Sequence, residues 1–218
     1  MFINFFSKKN NKIILHKANG ETKIVSKIKW LNIKFRGCNS IIEIYEPFHL
    51  RRAIGKRCSS IKINGDNNYI CIKSNKKRIS TLKILEVGSN NKIFIGENLM
   101  TTGLCKIDFA DQSNLELIIG NNCLFGQNIE MMLGDWHSIY DEQNNCINKP
   151  QKGISIGNNV WLARNITILK DASIPDNSVV GYGSIVTKQF LTPNVIIAGS
   201  PAKIIKEHIF WKSNNNNF

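Results

Sequence analysis

The sequence predicts an all-β solenoid, a chain wound as a triangular prism with three short strands to each coil. Three observations predict it. Stepping by six from Ile156 meets Leu162, Ile168, Ile174, Val180 and Val186, all aliphatic. In a chain that is 42% hydrophobic, six such hits in one phase arise by chance roughly one time in 200. A companion row four residues later, Val160, Ile166, Ala172, Ser178, Ser184 and Phe190, is mostly small or aliphatic. Finally, a period of six suits neither a helix nor an isolated strand. It suits a strand and a turn repeated, and such repeats have no core until they stack.

Residues 1–92 read as irregular coils with basic insertions. The opening Met1-Phe2-Ile3-Asn4-Phe5-Phe6 is apolar but short, with its charge after it, which makes a poor leader. An Asn-rich turn before alternating apolar residues then recurs, at Asn10-Asn11, Cys38-Asn39, Asn67-Asn68, Asn90-Asn91 and Ser113-Asn114. Asn tolerates the left-handed backbone of a tight turn, and the β-branched residues that follow fill short strands. Successive copies lie further apart than a coil of three hexapeptides requires. The surplus is expected to leave as loops, two of them basic, Pro47–Arg57 and Lys73–Arg78.

Residues 93–190 read as the regular solenoid. Ile95, Ile107, Ile119, Phe125 and Met131 continue the inward row, with Thr101 and Ser113 as misses. Ile93, Leu99, Cys105, Leu117, Cys123 and Ile129 form its companion, with Asp111 as a miss. The interval from Met131 to Ile156 is not a multiple of six, so the phase breaks once. The excursion at 132–153 contains Gly134-Asp135-Trp136-His137-Ser138-Ile139-Tyr140-Asp141. A polar irregular insertion in a regular solenoid is a natural place for function. Residues 191–218 form a C-terminal extension. There Ser200 and Pro201 suggest the start of a short helix carrying Ile204, Ile205, His208, Ile209 and Trp211, which would close the prism before a polar tail from Ser213.

The net charge of +13 favours anionic partners such as an acidic glycan or a phosphate-bearing cofactor. Six cysteines are scattered without metal spacing, which suits a reducing compartment. No apolar run is long enough to span a membrane. The expectation is a cytoplasmic protein, free or at the inner face of the membrane. The four histidines do not offer three ligands at metal spacing, and no Gly-x-x-x-x-Gly-Lys loop is present. The first argues against a metal and the second against nucleotide hydrolysis; no nucleic acid partner is expected.

Four blocks occur in order: Asp135-x-His137-x-Ile139-x-Asp141, Gly153-Ile154-x-Ile156-Gly157-x-x-Val160-Trp161, Val179-Val180-Gly181-x-Gly183-Ser184-x-Val186-x-Lys188, and Ala198-Gly199-x-Pro201-Ala202-Lys203. Together they resemble the hexapeptide-repeat, acetyl-CoA-dependent sugar and polysaccharide O-acetyltransferases of bacteria. The similarity is greatest to those acting on surface glycans, including sialic acid capsules and lipooligosaccharides. The resemblance implies a left-handed parallel β-helix, acetyl-CoA as co-substrate, a carbohydrate acceptor and a homotrimer with sites between adjacent prisms. It puts the general base on His137, a residue type suited to taking a hydroxyl proton near neutrality. Asp135 is a second catalytic candidate, either orienting that ring or lying beside the cofactor thiol. Trp161, which should face outward, and Arg164, Lys170, Lys188 and Lys203 are candidates for the cofactor, with Gly183 and Ser184 allowing close backbone approach. Two other readings stay open: acetylation of a small sugar, amino sugar or antibiotic, and a non-catalytic solenoid that binds glycan.

Overall fold

The computed structural model describes residues 9–51 and 58–213, and the fold is a stack of parallel strands on the three faces of a prism. In the lower coils the first face carries Lys92–Ile95, Glu116–Ile119, Gly153–Ile156 and Ser173–Ile174. The second carries Leu124–Phe125, Trp161–Leu162, Val179–Val180 and Ile196–Gly199. The third carries Ile129–Met132, Ile166–Leu169 and Ile185–Val186, while Met100–Asp108 runs across the second and third.

Register explains the period. Ser155 pairs with Ser173, Trp161 with Val179 and Thr167 with Ile185, each separated by one full coil of three hexapeptides. Every hexapeptide is therefore one face, and its guide residue stacks on the guide residue of the next coil. All six guide residues from Ile156 to Val186 are at most 2% exposed, and the companion row at most 5%. One continuous apolar core runs from Leu31 to Ala202.

The edges between faces are turned by residues with left-handed backbone. Asn98, Asn122, Asn159, Asn177 and Asn194 stand at the edge between the first and second faces. Asn39, Asn67, Asn90 and Asn114 stand between the third and first. The side chains form rungs: Asn98 Nδ2 donates to Asn122 Oδ1 at 3.2 Å, Asn159 to Asn177 at 3.0 Å and Asn177 to Asn194 at 3.3 Å. An amide both donates and accepts, so one residue type satisfies its neighbours above and below. This is why the sequence is rich in Asn at these spacings.

The third–first edge is longer than the others. Glu116 pairs with Lys92, four hexapeptides earlier, and the surplus hexapeptide over a minimal coil is taken up near Phe109–Leu115. Of the three misses of the sequence pattern, Ser113 and Asp111 are exposed on that edge, whereas Thr101 is buried although polar. In the next coil Gly153 pairs with Glu116 across a still longer interval, and the excursion that bears His137 leaves from the same edge.

Two expectations are corrected. The C-terminal extension forms no helix; Ala202–Lys206 is a strand that turns back on Ile196–Gly199 in antiparallel register. Gly199, at φ 106, lets the chain reverse through Ser200 and Pro201, so these two are turn residues rather than cap and first turn. Ala202 is buried and Lys203 exposed, an alternation of two that the apolar content concealed. His208 lies after this strand in a left-handed conformation. The Lys73–Arg78 segment is mostly not a loop, because Lys76, Lys77 and Arg78 belong to the strand Asn75–Val87. Of Pro47–Arg57, Phe48–Leu50 is a strand that pairs with it, while Arg52, Lys56 and Arg57 lie outside the described residues. So do Phe2, Phe5, Phe6 and the tail beyond Ser213. Among the described residues no helix is long and apolar enough to cross a membrane.

Candidate active site

The excursion between Ile129–Met132 and Gly153–Ile156 is held at both ends and at its tip. Leu133 N–H donates to Asp108 O at 2.8 Å where it departs. At the tip, Asp141 Oδ1 accepts from Gln143 and Asn145 N–H at 3.0 and 2.8 Å. A single antiparallel bridge, Tyr140 to Cys146, draws the limbs together. Where the loop returns, Asp171 of the coil below accepts the N–H groups of Gln151, Lys152 and Gly153 at 2.7 to 3.1 Å. Burial pushes the Asp171 carboxyl up, but these donors outweigh it and hold it below the ordinary carboxylate value.

His137 is exposed on the outgoing limb. Its imidazole makes no hydrogen bond or ion pair among the described residues, so both ring nitrogens are open to an incoming group. Asp135 is not bonded to that ring. Its Oδ2 accepts from Asn148 Nδ2 at 2.8 Å and from Lys170 Nζ. Burial pushes Asp135 up, while Lys170 and Asn148 bring the net value below ordinary. Lys170 also donates to Asn148 O at 2.5 Å. Trp136, Ile139, Tyr140 and Ile147 of the same loop are exposed as well.

The other predicted residues fall into two groups. Lys188 lies one coil below Lys170 on the loop's edge, its Nζ 5.4 Å from the Phe190 ring centre. Arg164, Gly183 and Ser184 lie at the second–third edge, and Lys203 pairs its backbone with Ala198 beside them. Gly183, at φ 71, has open space where a Cβ would stand. Ser184 is fully buried, its hydroxyl donating to Gly181 O at 2.7 Å and its carbonyl accepting from Thr167 N–H at 3.0 Å, so it supports the edge from inside and is not open to a ligand. Trp161 is 39% exposed on the second face, opposite the edge that bears His137. Within one prism, His137 and Trp161 are therefore not brought together.

Comparison with known proteins bears on the family and the fold. No family profile matches the chain. The polysialic acid O-acetyltransferase of Neisseria meningitidis is 34% identical over 171 residues, 70% of this chain and 79% of that enzyme. The chain belongs to the hexapeptide-repeat O-acetyltransferases. The crystal structure of the polySia specific acetyltransferase NeuO superposes with a TM-score of 0.71 at 28% identity, covering 95% of this chain and 87% of that one. The galactoside O-acetyltransferase of Escherichia coli K12 is 36% identical over 120 residues, 55% of each chain. The stack is thus a left-handed β-helix of the O-acetyltransferase type.

Sequence reasoning missed three residues that the structure places around the candidate residues. Asn148 bonds to the loop on both sides of His137, and Asp171 anchors the return limb. Trp211, from the C-terminal segment, donates through Nε1 to Asn159 O at 2.8 Å and lies 6.0 Å from Trp161, ring centre to ring centre. A signal for the coil-below partners existed: Lys170 and Asp171 follow Lys152 and Gly153 by one coil of three hexapeptides.

Proposed function

We propose that the chain transfers acetyl from acetyl-CoA to a hydroxyl of an acidic surface carbohydrate, a sialic acid polymer in the first instance, with His137 as general base. The observation that carries the reading is His137 itself: an unbonded, exposed imidazole on a loop fixed at several points. The thioester supplies an activated acetyl group. His137 takes the hydroxyl proton as the oxygen attacks the carbonyl carbon, and returns it to the departing CoA sulfur. No acyl-enzyme is needed, and backbone N–H groups of the turns meet the transient oxyanion.

The second–third edge fits the co-substrate. Gly126 lies against Ala163, and Gly181 against Ala198, a strip so tight that a Cβ on Gly126 would stand 1.7 Å from Ala163 O. Those glycines let the coils close up, while Gly183, with open space where a Cβ would stand, leaves room for an extended pantetheine chain, and Arg164 and Lys203 supply cations for its phosphates. Lys188 is the corresponding cation on the loop's edge. Since His137 and Trp161 belong to opposite sides of one prism, a site using both is completed by a neighbouring copy. This favours a homotrimer with sites between prisms.

An acidic acceptor is supported by the third face. Lys34 pairs in register with Lys62, and Lys83 with Lys106. Like charges side by side on neighbouring strands destabilise a sheet, and a polyanion along that face relieves them. Lys62 and Lys106 also meet Glu86 and Glu130. The test is thiol release from acetyl-CoA with sialic acid oligomers, neutral galactosides and amino sugars, for wild type and His137→Ala. Release confined to sialic acid oligomers and lost in the variant supports the reading. Equal release in the variant removes His137 as base, and release with galactosides alone replaces the acceptor.

A further inference from the structure

We infer that Asn148 and Lys170 are positioning residues for His137: with Asp135 they form a clasp that fixes the backbone from which the imidazole projects. The inference rests on His137 being the base. It reassigns two residues that the sequence had placed elsewhere, Asp135 beside the ring or thiol and Lys170 on the cofactor.

The Asn148 side chain is committed to the loop on both sides of the histidine. Its Nδ2 donates to Asp135 Oδ2 at 2.8 Å and to His137 O at 2.9 Å, and its Oδ1 accepts from Ile139 N–H at 2.7 Å. One amide thus reaches residues 135, 137 and 139. Ile147 N–H donates to Ile139 O at 2.9 Å and closes the same segment. No strand of the excursion does this work, since its pairing among the described residues is the single bridge at Tyr140.

Lys170 then ties this assembly to the rigid stack. It follows Ile166–Leu169 directly, so its backbone is held by the coil below. Its Nζ reaches both the Asp135 carboxylate and the Asn148 carbonyl oxygen, one partner on each limb of the loop. The Lys170 side chain is 23% exposed and that of Asp135 40%, so the pair is partly shielded from water. The ends of the excursion are already secured by Asp108 and Asp171. The clasp is a separate device placed at His137, whose own ring has no partner among the described residues to orient it. A general base must meet its proton at hydrogen-bond distance, so its backbone origin has to be set within a fraction of an ångström.

The experiment uses the full chain with acetyl-CoA and sialic acid oligomers, or a galactoside if that is the acceptor turned over. Variants are Asn148→Ala, Lys170→Met, Lys170→Arg and His137→Ala. Asn148→Ala and Lys170→Met are expected to lower kcat by about 100-fold, with KM for acetyl-CoA changed by less than about twofold. Lys170→Arg keeps the cation and is expected to recover most of kcat. Amide exchange read by mass spectrometry should quicken at residues 136–140 and stay unchanged in the strands 153–169. If His137→Ala is dead while Asn148→Ala and Lys170→Met retain kcat, the clasp is overturned and the base reading stands. If His137→Ala is active, or wild type turns over no carbohydrate, the base reading falls and the inference with it. If exchange quickens through the strands and melting falls in step, the residues are merely structural and the inference is overturned.

Discussion

Two edges of the prism solve the same problem with different outcomes. Between the first and second faces, Asn98, Asn122, Asn159, Asn177 and Asn194 turn the chain in the tight spacing the coil requires. Between the third and first faces the turns begin with the same asparagine device, at Asn39, Asn67, Asn90 and Asn114, but the edge lengthens and then opens into the excursion. One edge is a column of amide rungs with nothing to spare. The other lengthens by a hexapeptide at one level and opens into the excursion at the next, and the turn below, Lys170-Asp171, takes hold of what was released. A solenoid can thus gain a site without disturbing its core, provided the insertion leaves and returns at one edge.

The sharpest separation of the two edges comes from His137→Ala. It is expected to remove about 10²- to 10⁴-fold of kcat, the range for a general base, with no change in melting temperature. A loss of melting temperature would mean the loop supports the stack and would blur the contrast. Next is Asn177→Ala on the rung edge. It forces alanine into φ 57 and removes two rungs, and is expected to cost about 1–2 kcal/mol in urea unfolding. Asn145→Ala on the excursion should leave the unfolding midpoint unchanged.

Acid distinguishes the edges less strongly. Asp135 and Asp171 are both held below the ordinary carboxylate value of 3.8. A carboxylate depressed by folding contributes stability that is complete above its unfolded value and lost as pH falls through its folded one. Protection of amides in the excursion is therefore expected to decline below about pH 4, while the asparagine rungs, which do not titrate, keep theirs. Equal decline on both edges would contradict this. The smallest effect is chemical. Burial pushes the thiols of Cys105 and Cys123 up to about 12, whereas Cys146 stands exposed on the excursion. Iodoacetamide at about pH 8 should label Cys146 and spare the two core thiols until the coils unfold.

The same contrast explains what could be read from sequence. From Ile156 to Val186 each coil is three hexapeptides, so the row of guide residues is the physical stack and appears in the string unaltered. Above Glu116 the lengthened edge inserts a further hexapeptide into the coil, which is why Ser113 and Asp111 fell on inward positions and are exposed. His137 was legible because a phase break isolated it with Asp135. The partners of Asp135 were not, because Lys170 is 35 positions away in sequence and becomes a neighbour only through coil register. The expected C-terminal helix failed for a local reason: Gly199 opens a reversal, and Ala202–Lys206 buries its first residue against the last coil.

The antiparallel turn-back at Ala202–Lys206 has a counterpart at the start of the chain, where Thr22–Ile24 lies antiparallel on Lys12–His16. Every face between them is a parallel lattice one repeat wide, growing in a single direction. On the first face at the top and the second face at the bottom, the terminal layer runs with the wrong polarity for that lattice. A second copy arriving end-on meets a reversed layer there, on which the parallel register cannot be continued. On those two faces the described chain carries its own terminators of strand addition.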